Sequence, residues 1–179
     1  MRNSRRWLLR DRTAGAHAAV DALVGGFDSR AAYMAYLRAV AAFRLPIERQ
    51  LAALSWPAGL GDWRPSRVAD AIARDMDDLG LAPPPAADAG LALRGDRLYG
   101  ALYVLEGSAL GARVLLQRAA ALGLGPDFGA RHLALLGGSL VRWQGFLERL
   151  DAADPFDLDG AVEASLATFA RARAAFETR

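Results

Sequence analysis

A chain of 179 residues, 53% of them hydrophobic, is long enough for one domain with a sizeable core. Its formal net charge of +2, without a basic stripe interleaved with aromatic residues, argues against nucleic acid as a partner. Cysteine is absent, which excludes disulfides, thiolate nucleophiles and Cys-ligated zinc or iron–sulfur sites.

Apolar residues recur at helical spacing along most of the chain, and strand patterns are scarce. We therefore predict an all-α fold of about six helices in a single domain, residues 1–179. The first helix is expected over residues 4–24, ending at Gly25 and Gly26. The second is expected over residues 29–54, with Pro46 kinking it or interrupting its hydrogen bonding.

Later elements are marked by proline, glycine and capping residues. Pro65 is predicted to lie in the first turn of a third helix that ends at Gly80, and residues 81–90 to form an extended loop. One long helix is predicted over residues 96–122. Shorter helical segments follow at about 127–136 and 139–150, and Asp157 is expected to cap the last helix.

The chain carries no membrane or export signal that we recognise. No stretch reaches the ~18 apolar residues of a membrane-spanning helix. The first ten residues lack the sustained apolar run of a signal peptide. We therefore expect a cytoplasmic protein that does not enter a membrane.

The long predicted helix contains two glycines four residues apart, Gly107 and Gly111. A glycine inside a helix destabilises it by roughly 1 kcal/mol relative to alanine, so the position needs another explanation. Residues at this spacing share one helix face, which Ser108 and Ala112 extend and on which Gly100 roughly lies. The bare face permits either close packing of another helix or the approach of a flat ligand.

Four segments in order resemble bacterial haem oxygenases, including those associated with phytochromes, over about residues 8–176. The stretch LYVLEGSALGARVL around Gly107 is similar to the family's distal helix, and LRDRTAGAHAAVD around His17 to its proximal helix. DMDDLG at residues 75–80 and FGARHLA at residues 128–134 match two further segments. The resemblance implies a single-domain helical bundle that holds haem between a proximal helix and a kinked distal helix.

The resemblance implies that His17 ligates the haem iron. Asp21 lies one turn further on and could accept a hydrogen bond from the other ring nitrogen. Gly107, Ser108 and Gly111 would form the catalytic distal face, where small residues leave room for O2 and ordered water. His132, the other histidine, is assigned to the framework.

The resemblance also implies contacts to the rest of the haem. Arg10 and Tyr103 match residues that meet a propionate, and Arg171 and Arg173 on the last helix are further candidates. Every basic side chain except the two histidines is arginine, so any anion site must use guanidinium groups. Val20 and Phe169 are candidate apolar walls. Which meso carbon is attacked stays open, partly because Ala112 stands where the family often has a second glycine.

The expected reaction is the oxidative cleavage of haem b to biliverdin, CO and ferrous iron by O2. The sequence shows no flavin or dinucleotide motif, so electrons would come from a ferredoxin, a flavin reductase or ascorbate. A bacteriophytochrome is a possible acceptor of the product.

Three alternatives remain at this stage. A haem-binding or haem-transfer protein of the same fold would have similar pocket residues but no turnover. A di-iron carboxylate protein is poorly supported, because neither histidine follows a glutamate by three residues. A structural helical protein would use the glycine face as a packing seam. The thiaminase-like branch of the same superfamily is not among them, because it relies on a catalytic cysteine and this chain has none.

Overall fold

A computed structural model of the chain describes residues 4–178. Residues 1–3 and 179, which the single-domain prediction includes, lie outside the described residues. The described part folds into eight α-helices and one short 3-10 helix (Ala58–Leu60), without a β-strand, which confirms the all-α prediction. The helices are α1 (Arg5–Val24), α2 (Arg30–Ala52), α3 (Ala69–Asp78), α4 (Asp96–Gly107), α5 (Ala109–Ala120), α6 (Arg131–Gly137), α7 (Leu140–Ala152) and α8 (Leu158–Glu177).

Several helix ends follow the capping signals in the sequence. Ser29 accepts a hydrogen bond from the backbone N–H of Ala32, and Asp157 accepts one from Gly160, so α2 and α8 begin where predicted. Helix α2 continues through Pro46 without interruption. None of the helices described between residues 4 and 178 is both long and apolar enough to span a bilayer.

The third helix was expected to begin at Pro65, and this prediction is wrong: α3 begins at Ala69. The reason is tertiary. The carboxylate of Glu48 on α2 accepts hydrogen bonds from the N–H groups of Val68 and Ala69 at 3.0–3.1 Å. A side chain from another helix therefore caps α3, in place of a local residue.

The helix predicted over residues 96–122 is two helices, α4 and α5, separated at Ser108. Ser108 keeps a right-handed helical conformation, with φ −68° and ψ −11°, and its hydroxyl donates to the carbonyl oxygen of Leu105 at 2.7 Å. The interruption adjoins Gly107 and lies in the segment for which the resemblance implies a kinked helix.

Helix α8 packs against α1, α2 and α4. At its closest approach to α4, a Cβ added at Gly100 would lie 1.9 Å from the carbonyl oxygen of Ala161. The buried Ser165 hydroxyl lies 2.9 Å from the carbonyl oxygens of both Gly100 and Ala161. Close helix packing therefore explains Gly100.

A buried hydrogen bond between a carboxylate and an imidazole joins α3 to α6. The Oδ2 atom of Asp75 lies 2.8 Å from Nδ1 of His132, and both side chains are fully buried. Arg131 adds a backbone and a side-chain hydrogen bond to Asp75 at 3.0 and 3.1 Å. Burial raises the pKa of Asp75, but these hydrogen bonds outweigh it and hold the pKa below its usual value.

We expect Gly100→Ala to lower the free energy of unfolding by about 2–3 kcal/mol, because the added methyl group meets the α8 backbone. Gly111→Ala is the matched control, since a Cβ there meets nothing within 4 Å. The control should be neutral or slightly stabilising. Urea denaturation measures both, and equal stabilities of the two variants would contradict this account of Gly100.

We expect Asp75→Asn to lower the free energy of unfolding by about 3 kcal/mol at pH 7. The substitution removes the buried carboxylate that interacts with Arg131 and His132. A depressed carboxyl pKa stabilises the fold above the unfolded value of about 3.9, and this contribution is lost as the pH falls through the folded-state pKa. The gap between wild type and variant should therefore shrink below about pH 4. Asp77→Asn, at an exposed neighbour, is the control, and a gap that does not change with pH would contradict the assignment.

Candidate functional site

A cavity of about 650 Å³ is bordered by α1 and by the α4–α5 segment. Its walls include Tyr36 and Leu136 from one apolar cluster of the core and Leu105 and Trp143 from the other, so the cavity lies where the two clusters meet. The volume is within the range of about 300–1,000 Å³ that is usual for small-molecule sites.

His17 lines this cavity from α1. Its Nδ1 atom lies 3.0 Å from Oδ2 of Asp21, and its ring makes an edge contact with Phe169 on α8 at 5.7 Å between centroids. The His17 and Asp21 side chains are 60% and 65% exposed, so the pair contributes little to stability. The contact with Asp21 orients the imidazole through Nδ1, and Nε2 has no hydrogen-bond partner among residues 4–178.

Gly107, Ser108 and Gly111 line the same cavity from α4 and α5. A Cβ at Gly107 would make only an ordinary contact, 3.7 Å from Trp143, and one at Gly111 would meet nothing within 4 Å. Helix packing therefore does not explain these two glycines, unlike Gly100. Their missing side chains leave space in the cavity.

Two arginines and a tyrosine form a polar edge of the cavity. Arg6 and Arg10 lie one turn apart on α1, and each guanidinium is 5.1 Å from the Trp7 ring centroid. Neither forms a salt bridge with a carboxylate in residues 4–178. Burial raises the pKa of Tyr103, which also lines the cavity, and the charges of Arg6 and Arg10 oppose that rise.

The structure brings together most of the residues predicted for the site. Val20 and Phe169 line the cavity with those described above. Asp21 does not line it but contacts His17. Arg171 and Arg173 are directed elsewhere: Arg171 donates to the carbonyl oxygen of Asp88 at 2.7 Å, and Arg173 pairs with Glu177. They belong to the outer surface of α8 and not to the cavity.

Sequence reasoning missed several cavity residues, among them Arg6, Tyr36, Arg44 and Trp143. The sequence does indicate Arg6 as a cavity residue, because Arg6 precedes Arg10 by four residues and so lies on the same helix face. The sequence also indicates Arg44, because this arginine interrupts an apolar face of α2 and precedes Glu48 by four residues. His132 lies outside the cavity lining, in the framework. No group of three or more His, Cys, Asp or Glu side chains that could hold a metal ion is present within residues 4–178.

The architecture is similar to a solved structure, the NO- and CO-bound heme oxygenase from Neisseria meningitidis. The TM-score is 0.78 at 25% sequence identity, and the match covers 98% of this chain and 92% of that chain. The described part of the chain thus has the helical fold of that haem oxygenase, with a cavity between its helices.

A sequence relative is also a haem oxygenase. Heme oxygenase PigA from Pseudomonas aeruginosa is 43% identical over 97 residues, which are 50% of this chain. The match spans 47%, about half, of that relative's length. No protein-family model matches the chain. The sequence similarity to PigA over half of the chain and the structural similarity to the Neisseria protein both point to bacterial haem oxygenases as the proteins this chain resembles.

Proposed function

We propose that the protein is a haem oxygenase, which uses O2 and electrons from an external donor to cleave haem to biliverdin, CO and ferrous iron. The observation that carries the proposal is one cavity in which an oriented imidazole, His17, and a glycine face at residues 107–111 occur together. The similarity to two haem oxygenases supports it.

The donor set suits a haem iron. A carboxylate that accepts from Nδ1–H fixes the tautomer in which Nε2 carries the lone pair, and it makes the imidazole a stronger donor. The 3.0 Å contact between Oδ2 of Asp21 and Nδ1 of His17 supports this role for Asp21. We therefore propose Nε2 of His17 as the ligand to the iron, held in orientation by Asp21 and by the edge of Phe169.

The glycine face suits a reaction in which the macrocycle itself is attacked. Bound haem would supply the iron that activates O2 and the meso carbon that is oxidised. The hydroxyl proton of Ser108 is already donated to Leu105, so that side chain offers a ligand an acceptor and no donor. With no side chain at Gly107 and Gly111, small ligands and ordered water have access to this side.

The polar edge suits the two propionates of haem. Arg6 and Arg10 have no carboxylate partner in the described part of the chain, and Tyr103 adds a hydroxyl beside them. A guanidinium pairs with a carboxylate through two parallel hydrogen bonds. We propose these three residues as the propionate contacts.

The finer predictions from the resemblance extend this proposal. Ferredoxin, flavin reductase or ascorbate would supply the electrons, a bacteriophytochrome would be one acceptor of biliverdin, and the protein would work in the cytoplasm. Chromatography of the biliverdin isomers would identify the meso carbon that is cleaved.

We expect the purified protein with equimolar hemin to develop a Soret band, which decays to a broad red biliverdin absorption when ascorbate or a ferredoxin system is added in air. His17→Ala should abolish the ligated spectrum, because it removes the axial nitrogen. Asp21→Asn should retain the band but lower turnover about tenfold or more, as changes behind a metal-ligating histidine do.

Two outcomes of this assay would contradict the proposal. A stable Soret band that is reduced but never bleaches would identify a haem carrier. The absence of any band at micromolar hemin would favour the packing-seam interpretation of the glycine face.

We expect the double variant Arg6→Ala/Arg10→Ala to raise the dissociation constant for haem about tenfold, since two partly exposed ion pairs with propionates are lost. A Soret titration measures it. Arg12→Ala is the control on the same helix, because Arg12 pairs with Asp159 and does not line the cavity. Equal affinities of the double variant and the control would exclude these arginines as propionate contacts.

A further inference from the structure

A buried guanidinium forms part of the cavity wall. Arg44 on α2 lines the cavity although the residue is only 4% exposed. Its Nη2 atom lies 3.1 Å from Oε1 of Glu48 and 3.2 Å from the carbonyl oxygen of Ser66, and its Nη1 lies 3.4 Å from that of Leu105. Its Nε is buried and has no hydrogen-bond partner in the described residues. An interior N–H of this kind destabilises a fold unless a ligand or water accepts from it.

The contact with Leu105 locates Arg44 within the cavity. Leu105 belongs to α4 and precedes Gly107 by two residues, and Leu105, Gly107 and Arg44 all line the cavity. The guanidinium therefore lies against the α4 wall that leads into the glycine face, while His17 lines the cavity from α1.

The neighbouring carboxylates do not cancel the charge of Arg44 in a simple way. Glu48 also accepts hydrogen bonds from the N–H groups of Val68 and Ala69 at the N-terminus of α3. The negative charge of Glu48 is therefore divided between Arg44 and the partial positive charge of that helix end. Glu106 is 1% exposed and accepts from the N–H and hydroxyl of Ser66. Burial raises the pKa of Glu106, and the hydrogen bonds from Ser66 and the charges of Arg44 and Arg142 oppose that rise.

We propose that Arg44 forms a subsite for small anions and polar diatomic ligands on the glycine side of the cavity. This inference rests on the proposed haem oxygenase function, because the ligand would bind at the haem iron beside Gly107. Arg44 is then a positioning residue: its N–H groups orient the ligand or the water next to it. The glycine face supplies the space, and Arg44 supplies the charge that Ser108 does not.

The test uses azide and CO as probes of the haem complex, so that it does not depend on turnover. Arg44→Met alone would leave Glu48 without its ion-pair partner in the interior, so the variant is Arg44→Met/Glu48→Gln. We expect the dissociation constant of azide from the ferric complex to rise about tenfold or more, as loss of a hydrogen bond from a charged donor predicts. The C–O stretching frequency of the ferrous CO complex should also rise, because a positive group near the oxygen lowers it.

Two controls separate ligand binding from structural support. Glu48→Gln alone keeps Arg44 and should retain the azide affinity within about threefold, a difference well below that of a lost charged hydrogen bond. Ser66→Ala breaks the hydroxyl contact with Glu106 in the same network but does not line the cavity. It should lower the melting temperature and leave azide affinity and the C–O stretch unchanged.

The outcomes distinguish the subsite from the function on which it rests. If haem binds and biliverdin forms but azide affinity and the C–O stretch are the same with and without Arg44, the subsite is wrong and the oxygenase stands. A loss of haem affinity without a change in azide affinity would identify Arg44 as a propionate contact and also overturn the subsite. If no variant or wild-type protein binds haem, the proposed function itself fails. If the double variant does not fold, Arg44→Gln/Glu48→Gln decides, since an unchanged C–O stretch after loss of the guanidinium would overturn the proposal.

Discussion

Helix α8 lies against both α1 and α4, and this packing sets the distance between the two walls of the cavity. The contact with α4 depends on Gly100, because any side chain there would meet the carbonyl of Ala161. The same helix carries Phe169, whose ring contacts His17 on α1. The position of the imidazole relative to the glycine face thus depends on one close helix contact at Gly100, about two turns before Gly107.

Arginine is the basic side chain throughout the chain, and its burial decides what each one does. Arg6 and Arg10 at the cavity edge have no carboxylate partner in the described residues, which suits them to an incoming anion. Arg131 is engaged by Asp75 and Asp78 and fastens α6 to α3. Arg44 is intermediate: a buried ion pair holds it, yet one N–H remains without a partner at the cavity wall. Arginine side chains therefore have three different roles: at the cavity edge, in the framework between helices, and in the buried wall of the proposed site.

Local signals located much of the fold. The caps at Ser29 and Asp157 act within three residues along the chain, and both helices begin where these residues predict. The start of α3 was misplaced because a carboxylate from α2 caps it. The predicted long helix is interrupted at Ser108. Helical periodicity continues across this position and does not indicate the break, which only the resemblance to a kinked distal helix implied.

The sequence alone determined the all-α class, the glycine face and the pairing of His17 with Asp21, because periodicity and the i,i+4 spacing are local properties of a helix. The tertiary structure decided which glycine serves which purpose: Gly100 meets α8, whereas Gly111 adjoins open space. It also decided that Arg44 lines the cavity and that Arg171 does not. Helical spacing gives the face on which a side chain lies, but only the packing of other helices determines what that face meets.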